Sequence, residues 1–259
     1  MKKKLADLEV RSVRRINELH YVIEYAAEDV QEMIPGQFVE VRAPESRDAF
    51  LRRPFSIYDI DPDKHSFLLL IKEVGPGSRM IGRARPGDQM NVMYPLGKGY
   101  SLPESGKALM VGGGYGIAPM RFLGRRLQEK GISADTLIGG RSAGDILVAN
   151  DFEKFGEVHI TTEDGSLGLK GLLTHHPAMG SNIGDYSIIY ACGPMGMLKA
   201  VAELAEAAGI PCEVSLENTM ACGFGVCLSC ITGTTRGNLC VCTDGPVFNS
   251  KELLWQSSV

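Results

Sequence analysis

Several features are missing from this 259-residue chain, and each absence removes a class of function. No uninterrupted apolar run reaches about 18 residues, so no membrane-spanning helix is expected. The N-terminus opens on Lys2-Lys3-Lys4 and lacks the apolar stretch of a secretion signal, so a cytoplasmic location is the expectation. There is no basic excess: 27 Lys and Arg stand against 31 Asp and Glu, a formal net charge of -4. Nucleic-acid binding, which relies on a basic stripe, is therefore not expected. No nucleophile and base fall into a readable arrangement, and His159, His175 and His176 form no recognisable ligand set with an acidic partner. That absence fits redox work, in which a bound cofactor carries the chemistry. Internal repeats and low-complexity tracts are also lacking.

What is present points to a multidomain chain, all-β followed by α/β. Hydrophobic residues make up 44% and charged residues 22%, the balance of a soluble globular protein with up to three small domains. Over the first hundred residues, "LEVRSVRRI", "HYVIEYA", "QFVEVRA", "FSIYDI", "SFLLLIKEV" and "MNVMYPL" are short β-rich runs separated by turns, which predicts a small barrel or sandwich. "SLPESG", Ser101 to Gly106, reads as a linker. Beyond it, strand, glycine loop and helix alternate in a three-layer α/β pattern, with Met120, Leu123 and Leu127 on the buried face of the first helix. "IPCEVSLEN" is the candidate for the last strand. The expected domains are 1–102, 103–214 and 215–259.

The last of these is cysteine-rich. Seven cysteines without a secretion signal argue against a disulfide framework. Cys192 and Cys212 are scattered, whereas Cys222, Cys227, Cys230, Cys240 and Cys242 fall within 21 positions. Cys222, Cys227 and Cys230 have the spacing C-x4-C-x2-C, followed by Cys242 after eleven residues, which is the plant-ferredoxin-type spacing for a 2Fe-2S cluster. Gly223 and Gly225 let the loop wrap tightly and turn backbone N–H groups toward the sulfurs. Structural zinc is the rival reading, although zinc sites often use two C-x2-C pairs and only one is present. Cys240 competes with Cys242 as fourth ligand. On an extended segment the two would face opposite sides, so only one would meet the cluster, and spacing does not choose.

Two motifs of the β region carry polar groups fit for phosphate. In "LRRPFSIYDI", Arg53 and Ser56 can address phosphate or ribityl oxygens, Pro54 stiffens the backbone, and Phe55 or Tyr58 can pack near an aromatic ring. In "KEVGPGSRM", where Lys72, Val74, Gly75 and Gly77 lead to Ser78, an N–H-rich turn and a hydroxyl could hold a pyrophosphate. In the α/β region, Gly112, Gly113, Gly114 and Gly116 stand between a strand and a helix, where backbone approaches a pyrophosphate closely. An acidic ribose binder about 20 residues on is lacking, since Asp135 starts its strand rather than ending it. Cys192, Gly193 and Pro194 end a later strand, at the usual ligand edge of a parallel sheet. Cys192 reads as a nicotinamide-pocket wall or a buried small side chain, and Glu217 as a carboxylate near that pocket or on the surface.

Taken together, these motifs resemble those of the electron-transfer subunits of type B dihydroorotate dehydrogenases, within the ferredoxin-reductase-like flavoprotein class. The resemblance covers nearly the whole chain and is most specific over "SLENTMACGFGVCLSC". It implies an FAD-binding β-barrel, a Rossmann-like NAD-binding domain and a small C-terminal 2Fe-2S domain. Arg53-Pro54-Phe55-Ser56 would be the flavin motif, Gly75 to Ser78 the FAD phosphate loop, and Gly112 to Pro119 with Cys192-Gly193-Pro194 the NAD side. "CTDGPVF" favours Cys242 as the fourth cluster ligand, and Glu217 would lie near the flavin. Phe55 replaces the aliphatic residue common at its position. The implied partner is an FMN-containing catalytic subunit in a two-plus-two heterotetramer of pyrimidine biosynthesis, with electrons leaving to NAD+. Arg141, which could meet a 2'-phosphate, leaves NADP open. Alternatives are a related NAD(P)H diaphorase subunit of a ferredoxin, sulfide or hydrogenase-linked reductase, and a non-catalytic zinc-stabilised interaction module.

Overall fold

The computed structural model describes residues 2–44 and 49–255. The six β-rich runs become β1 (Lys4–Arg15), β2 (His20–Ala26), β3 (Phe38–Val41), β4 (Arg53–Asp61), β5 (Ser66–Lys72) and β6 (Gln89–Leu96). They close into an antiparallel barrel in the order β1-β2-β5-β4-β3-β6. Period-two alternation sets the faces: Tyr21, Ile23 and Tyr25 of β2 point into the barrel core, while Val22 between them packs outward against the α/β part. Closure pairs each of these six strands on both sides. A short helix, α1 (Pro76–Ile81), follows β5 and buries Ile81 in the barrel core.

The α/β part is built on β7 (Ala108–Gly113), α2 (Ala118–Glu129), β8 (Ala134–Gly140), β9 (Val158–Thr162), β10 (Leu169–Lys170), β11 (Ile188–Cys192), α3 (Met195–Ala207) and β12 (Cys212–Ser215). These strands are parallel, and β7 shows why three layers form. Its Ala108 and Met110 join the core under α2, with Leu123 and Leu127, whereas Leu109 and Val111 join the core under α3, with Leu198 and Val201. Buried on both faces, such strands read as continuous apolar runs. From β9 to β11 the chain passes through short 3-10 turns, in a stretch punctuated by Gly165, Gly168, Gly171, Pro177 and Gly180.

The cysteine segment forms a hairpin, β13 (Ile231–Thr234) and β14 (Gly237–Cys240), then one helical turn, α4 (Val241–Asp244), and β15 (Val247–Asn249). "IPCEVSLEN" does supply β12, but β15 lies beyond it, antiparallel, as the edge of a seven-stranded sheet. Three residues are too few for periodicity to reveal such a strand. The segment therefore does not depend on a cofactor alone for its order: Cys230, Val241, Cys242, Phe248 and Leu253 share one core with the sheet and with Phe38 and Leu96 of the barrel.

Barrel and sheet are locked together where α2 crosses β4. Phe122 of α2 inserts into the barrel core. Beside it, the buried Asp59 of β4 pairs with Arg121 and with Arg125, whose Nη2 lies 2.6 Å from Asp59 Oδ1. Arg121 also stacks on Tyr58, whose hydroxyl donates to Asp151 Oδ2 at 2.5 Å. The clamp fixes how the two parts face each other across the cavities described next.

Candidate functional site

The first cavity, of about 440 Å³, lies between the barrel and the cysteine segment. Pro54, Phe55 and Ser56 of β4, Lys72 of β5 and Val74 line one side, and Glu217 to Met220 the other. Arg53 lies over the glycine loop: a Cβ on Gly77 would stand 2.9 Å from the Arg53 Nε. The two motifs read from the β region thus meet, with the guanidinium packed where a Gly77 side chain would stand, although Arg53, Gly75 and Gly77 do not line the cavity itself. The Ser78 hydroxyl behaves differently from expectation. It accepts the N–H groups of Val74 and Gly75 at 3.0 and 3.2 Å and donates to the Gly75 carbonyl, so it shapes the turn rather than reaching outward. An FAD would find its ring site along Phe55, Lys72 and Glu217, and the chemistry it supplies is exchange between hydride and single-electron transfer.

The second cavity, of about 560 Å³, opens at the C-terminal edge of the parallel strands. Of the motif residues, Gly113, Gly114 and Pro194 line it. Gly112, Gly116, Cys192 and Gly193 do not stand on its wall, and their contacts say why. A Cβ on Gly116 would come within 2.5 Å of the Cys192 carbonyl oxygen, and one on Gly112 within 2.6 Å of Ile117. These glycines let the turn after β7 press against the end of β11, which carries the wall glycines into place. Cys192 is fully buried, and its thiol donates to Glu217 Oε1 at 3.9 Å. Burial, with the Glu217 charge adding, pushes that thiol well above its ordinary range, so it stays protonated.

Sequence reasoning missed Tyr115, Asp145 and Glu163. Tyr115 follows the glycine cluster directly, and its hydroxyl donates to Glu217 Oε2 at 3.2 Å. The Glu217 charge, with burial, holds the phenol up at about 12. Glu217 is open to the flavin cavity, yet the protein atoms crowding it raise its carboxyl above the usual range. Asp145 and Glu163 both line the dinucleotide cavity. Both come later than the position, about 20 residues after the glycines, at which an acidic ribose binder would stand, and both lie past the end of β8. Asp135, the nearer carboxylate, lies at the opposite edge of the sheet, tied to Lys107 at 2.6 Å and Tyr186 at 3.0 Å. His159 is 4.0 Å from it and 3.8 Å from Glu157, also away from the cavities.

Arg141 is not a free cation. Asp145 Oδ2 accepts its backbone N–H at 3.2 Å and lies 3.8 Å from its guanidinium Nε. A 2'-phosphate would have to compete with that carboxylate and with Glu163. Asp145→Asn is therefore expected to raise the kcat/KM ratio for NADPH over NADH by about tenfold, the worth of one charge-assisted contact. Steady-state oxidation of both nucleotides with an artificial acceptor checks this, and an unchanged ratio would remove Asp145 from coenzyme selection.

The third site is the cysteine loop, which begins two residues after the flavin-cavity wall ends at Met220. Cys222 meets Cys227, and Cys230 is approached by both Cys240 and Cys242. Among the described residues no three sulfurs gather within 4.8 Å of one another, as a single tetrahedral ion would require. A two-iron cluster, in which each iron takes two cysteines, suits Cys222 with Cys227 on one side and Cys230 with one of its two neighbours on the other. Backbone N–H groups of Cys227, Phe224 and Val226 converge on Cys222 and, against its burial, bring its thiol down to about 6. The Cys242 N–H donates to Cys230 Sγ at 3.4 Å. Cys240 and Cys242 do not sit on opposite sides of an extended segment, as the sequence reading assumed. Asp244 accepts the Cys240 N–H at 3.0 Å and coils the chain, so Cys240 ends β14 while Cys242 lies inside α4, and both thiols neighbour Cys230. Cys242 is buried and Cys240 half-buried.

Comparison with known proteins agrees with this three-part arrangement. A family model described as the iron-sulfur cluster binding domain of dihydroorotate dehydrogenase B matches residues 217–254, and one described as an oxidoreductase NAD-binding domain matches residues 110–203. Among solved structures, that of the NADH-dependent reduced ferredoxin-NADP oxidoreductase, studied for flavin-based electron bifurcation, is similar with a TM-score of 0.85 at 30% identity, covering 96% of this chain and 90% of that one. The ferredoxin reductase of carbazole 1,9a-dioxygenase shares the fold at a TM-score of 0.69 and 20% identity, over 82% of this chain and 68% of that one. The dihydroorotate dehydrogenase B (NAD(+)) electron transfer subunit of Shouchella clausii is 37% identical over 98% of this chain and 100% of its own length. That of Desulforamulus reducens is 36% identical over 98% and 99%. A likeness that runs from the barrel through the last cysteine admits one conclusion: the chain belongs to the family of dihydroorotate dehydrogenase B (NAD(+)) electron transfer subunits.

Proposed function

We propose that this chain carries electrons from an FMN-containing, dihydroorotate-oxidising catalytic subunit to NAD+, by way of a 2Fe-2S cluster on Cys222, Cys227, Cys230 and Cys242 and an FAD. Residues 1–102 hold the flavin with Arg53, Pro54, Phe55, Ser56, Lys72, Val74 and the Gly75–Ser78 loop. Residues 103–214 hold the dinucleotide, and residues 215–259 the cluster. Glu217 and Cys192 lie beside the flavin. The observation that carries the reading is continuity: one loop lines the flavin cavity through Met220 and reaches the first cluster cysteine at Cys222. A cluster handles single electrons and a flavin exchanges one for two, so their adjacency serves a relay.

The partner is expected to cover the cluster loop, where Phe224, Val226 and Leu228 stand 49%, 72% and 55% exposed. An apolar group of this kind on a loop suits the desolvated centre of an interface. The assembly is two catalytic and two electron-transfer subunits, in the cytoplasm. Co-expression with the catalytic subunit should give a complex that reduces NAD+ with dihydroorotate, with one FAD and one 2Fe-2S cluster for each copy of this chain. A cofactor-loaded complex that oxidises dihydroorotate with a dye but leaves NAD+ untouched would reject the assignment. The likeness to the ferredoxin-NADP oxidoreductase favours a second reading, service to a ferredoxin-linked partner. In that case the chain oxidises NADH with a dye but does not associate with the dihydroorotate-oxidising subunit.

A further inference from the structure

The dinucleotide and flavin cavities share two lining residues, Lys72 and Tyr115. Hydride exchange needs the nicotinamide and flavin rings in contact, with reacting atoms about 3–3.5 Å apart. The two cavities must therefore open into each other, and the Tyr115 side chain stands where they meet. We propose that Tyr115 is a movable partition, latched to Glu217, that must leave its place before a nicotinamide can reach the flavin; this rests on the flavin and NAD assignments above.

Three elements converge on this one ring. Its own turn follows β7, the Glu217 carboxylate reaches it from the loop before the cysteines, and the Lys72 ammonium lies 5.6 Å from its centroid at the end of β5. The ring is held by polar contacts at its tip and face and not by core packing: Tyr115 is 39% exposed, while its near neighbour Ile117 is fully buried. Gly114 adopts φ +56, and a Cβ built there would meet nothing within 4 Å. Opening breaks one hydrogen bond and one cation–π contact, both partly in water, and leaves Glu217 and Lys72 facing the gap through which the nicotinamide enters. Tyr115 is thus a positioning residue. The closed state opposes dinucleotide binding, because the competent state is only a fraction of the population.

The test uses the holoprotein with FAD and cluster, titrated with NAD+ and followed by the flavin absorption band. Tyr115→Phe keeps the ring and removes the latch, and the Kd for NAD+ is expected to fall by about threefold to tenfold. Tyr115→Ala removes the partition. Its Kd is expected to fall at least as far, with a larger change of the flavin band on NAD+ binding than in the wild type. In NADH oxidation with ferricyanide the KM should fall in both variants without a matching rise in kcat. Unchanged or weaker NAD+ binding by Tyr115→Phe overturns the proposal, because the ring would then be a fixed wall of the nucleotide site. Should Tyr115→Ala lose its flavin, the phenylalanine variant decides. Wild-type holoprotein that holds FAD but binds no NAD+ would sink the functional reading itself, and the partition with it.

Discussion

Alanine at Asp59 lowers the unfolding free energy by about 3–5 kcal/mol. The carboxylate is 1% exposed and answers two guanidinium groups, those of Arg121 and Arg125, on the helix that joins the α/β sheet to the barrel. Removing it leaves two partly buried cations, with side chains 21% and 27% exposed: Arg125 loses its ion-pair partner, and Arg121 keeps only the half-exposed Asp151, whose Oδ2 lies 3.4 Å from its Nε. That uncompensated charge, more than the lost attraction, sets the size of the effect. The Arg121 stack on Tyr58 and the Tyr58 contact with Asp151 meet at the same place, so the loss spreads across the interface. Urea unfolding followed by circular dichroism measures it. Glu129→Ala, which breaks the exposed Arg126 pair on the same helix, should cost less than about 1 kcal/mol. Equal losses in the two variants would show that the clamp does not hold the interface. The flavin cavity is bounded by both parts, so Asp59→Ala should also release FAD at lower urea than the wild type.

How much of this could be read beforehand depends on the range over which each feature is encoded. The barrel strands alternate on their own, and "HYVIEYA" shows its faces within seven residues. The cysteine spacing and the glycines between β7 and α2 are likewise local, because a ligand site made by one loop must be written in one loop. The contacts that join the sites are not local. Tyr115 meets Glu217 across 102 residues, and Gly77 meets Arg53 only because the barrel folds β4 and α1 together. Neither partner's identity foretells the other. Cys240 and Cys242 show a different limit: two positions apart in sequence implies opposite faces only if the chain is extended, and one hydrogen bond to Asp244 makes it a helical turn. Asp145 escaped because a distance rule from other dinucleotide folds assumes a shorter path to the second strand's end. Glu40, which lies against Gly223 of the cysteine loop, sits in a barrel strand where a carboxylate would ordinarily face water.

That residue leads to the second large effect: valine at Gly223 should cost the protein its iron and spare its flavin. Gly223 adopts φ +72, a conformation that a β-branched residue enters at a cost of about 1–2 kcal/mol. Its missing Cβ would lie 2.6 Å from Glu40 Cδ and 2.7 Å from Oε2. Glu40 has little room to yield, being fully buried on β3 between Pro54 of β4 and Met93 of β6. Its two oxygens find no hydrogen-bond partner among the described residues, and burial, with the Cys222 charge adding and Arg52 opposing, pushes its carboxyl up to about 7. The loop must therefore lift away, and Cys222, one residue back, moves with it. Iron content is expected to fall more than tenfold, the ratio that the backbone penalty and the clash together exceed. NADH oxidation with a dye should persist, because the barrel and the dinucleotide cavity do not depend on this loop position. Gly223→Ala should lose less iron, and pairing it with Glu40→Ala, which removes the atoms in the way, should restore part of the loss. A double variant no better than the single would mean that the left-handed backbone alone requires glycine. Full iron in Gly223→Val would mean that the loop does not need Glu40 as its floor.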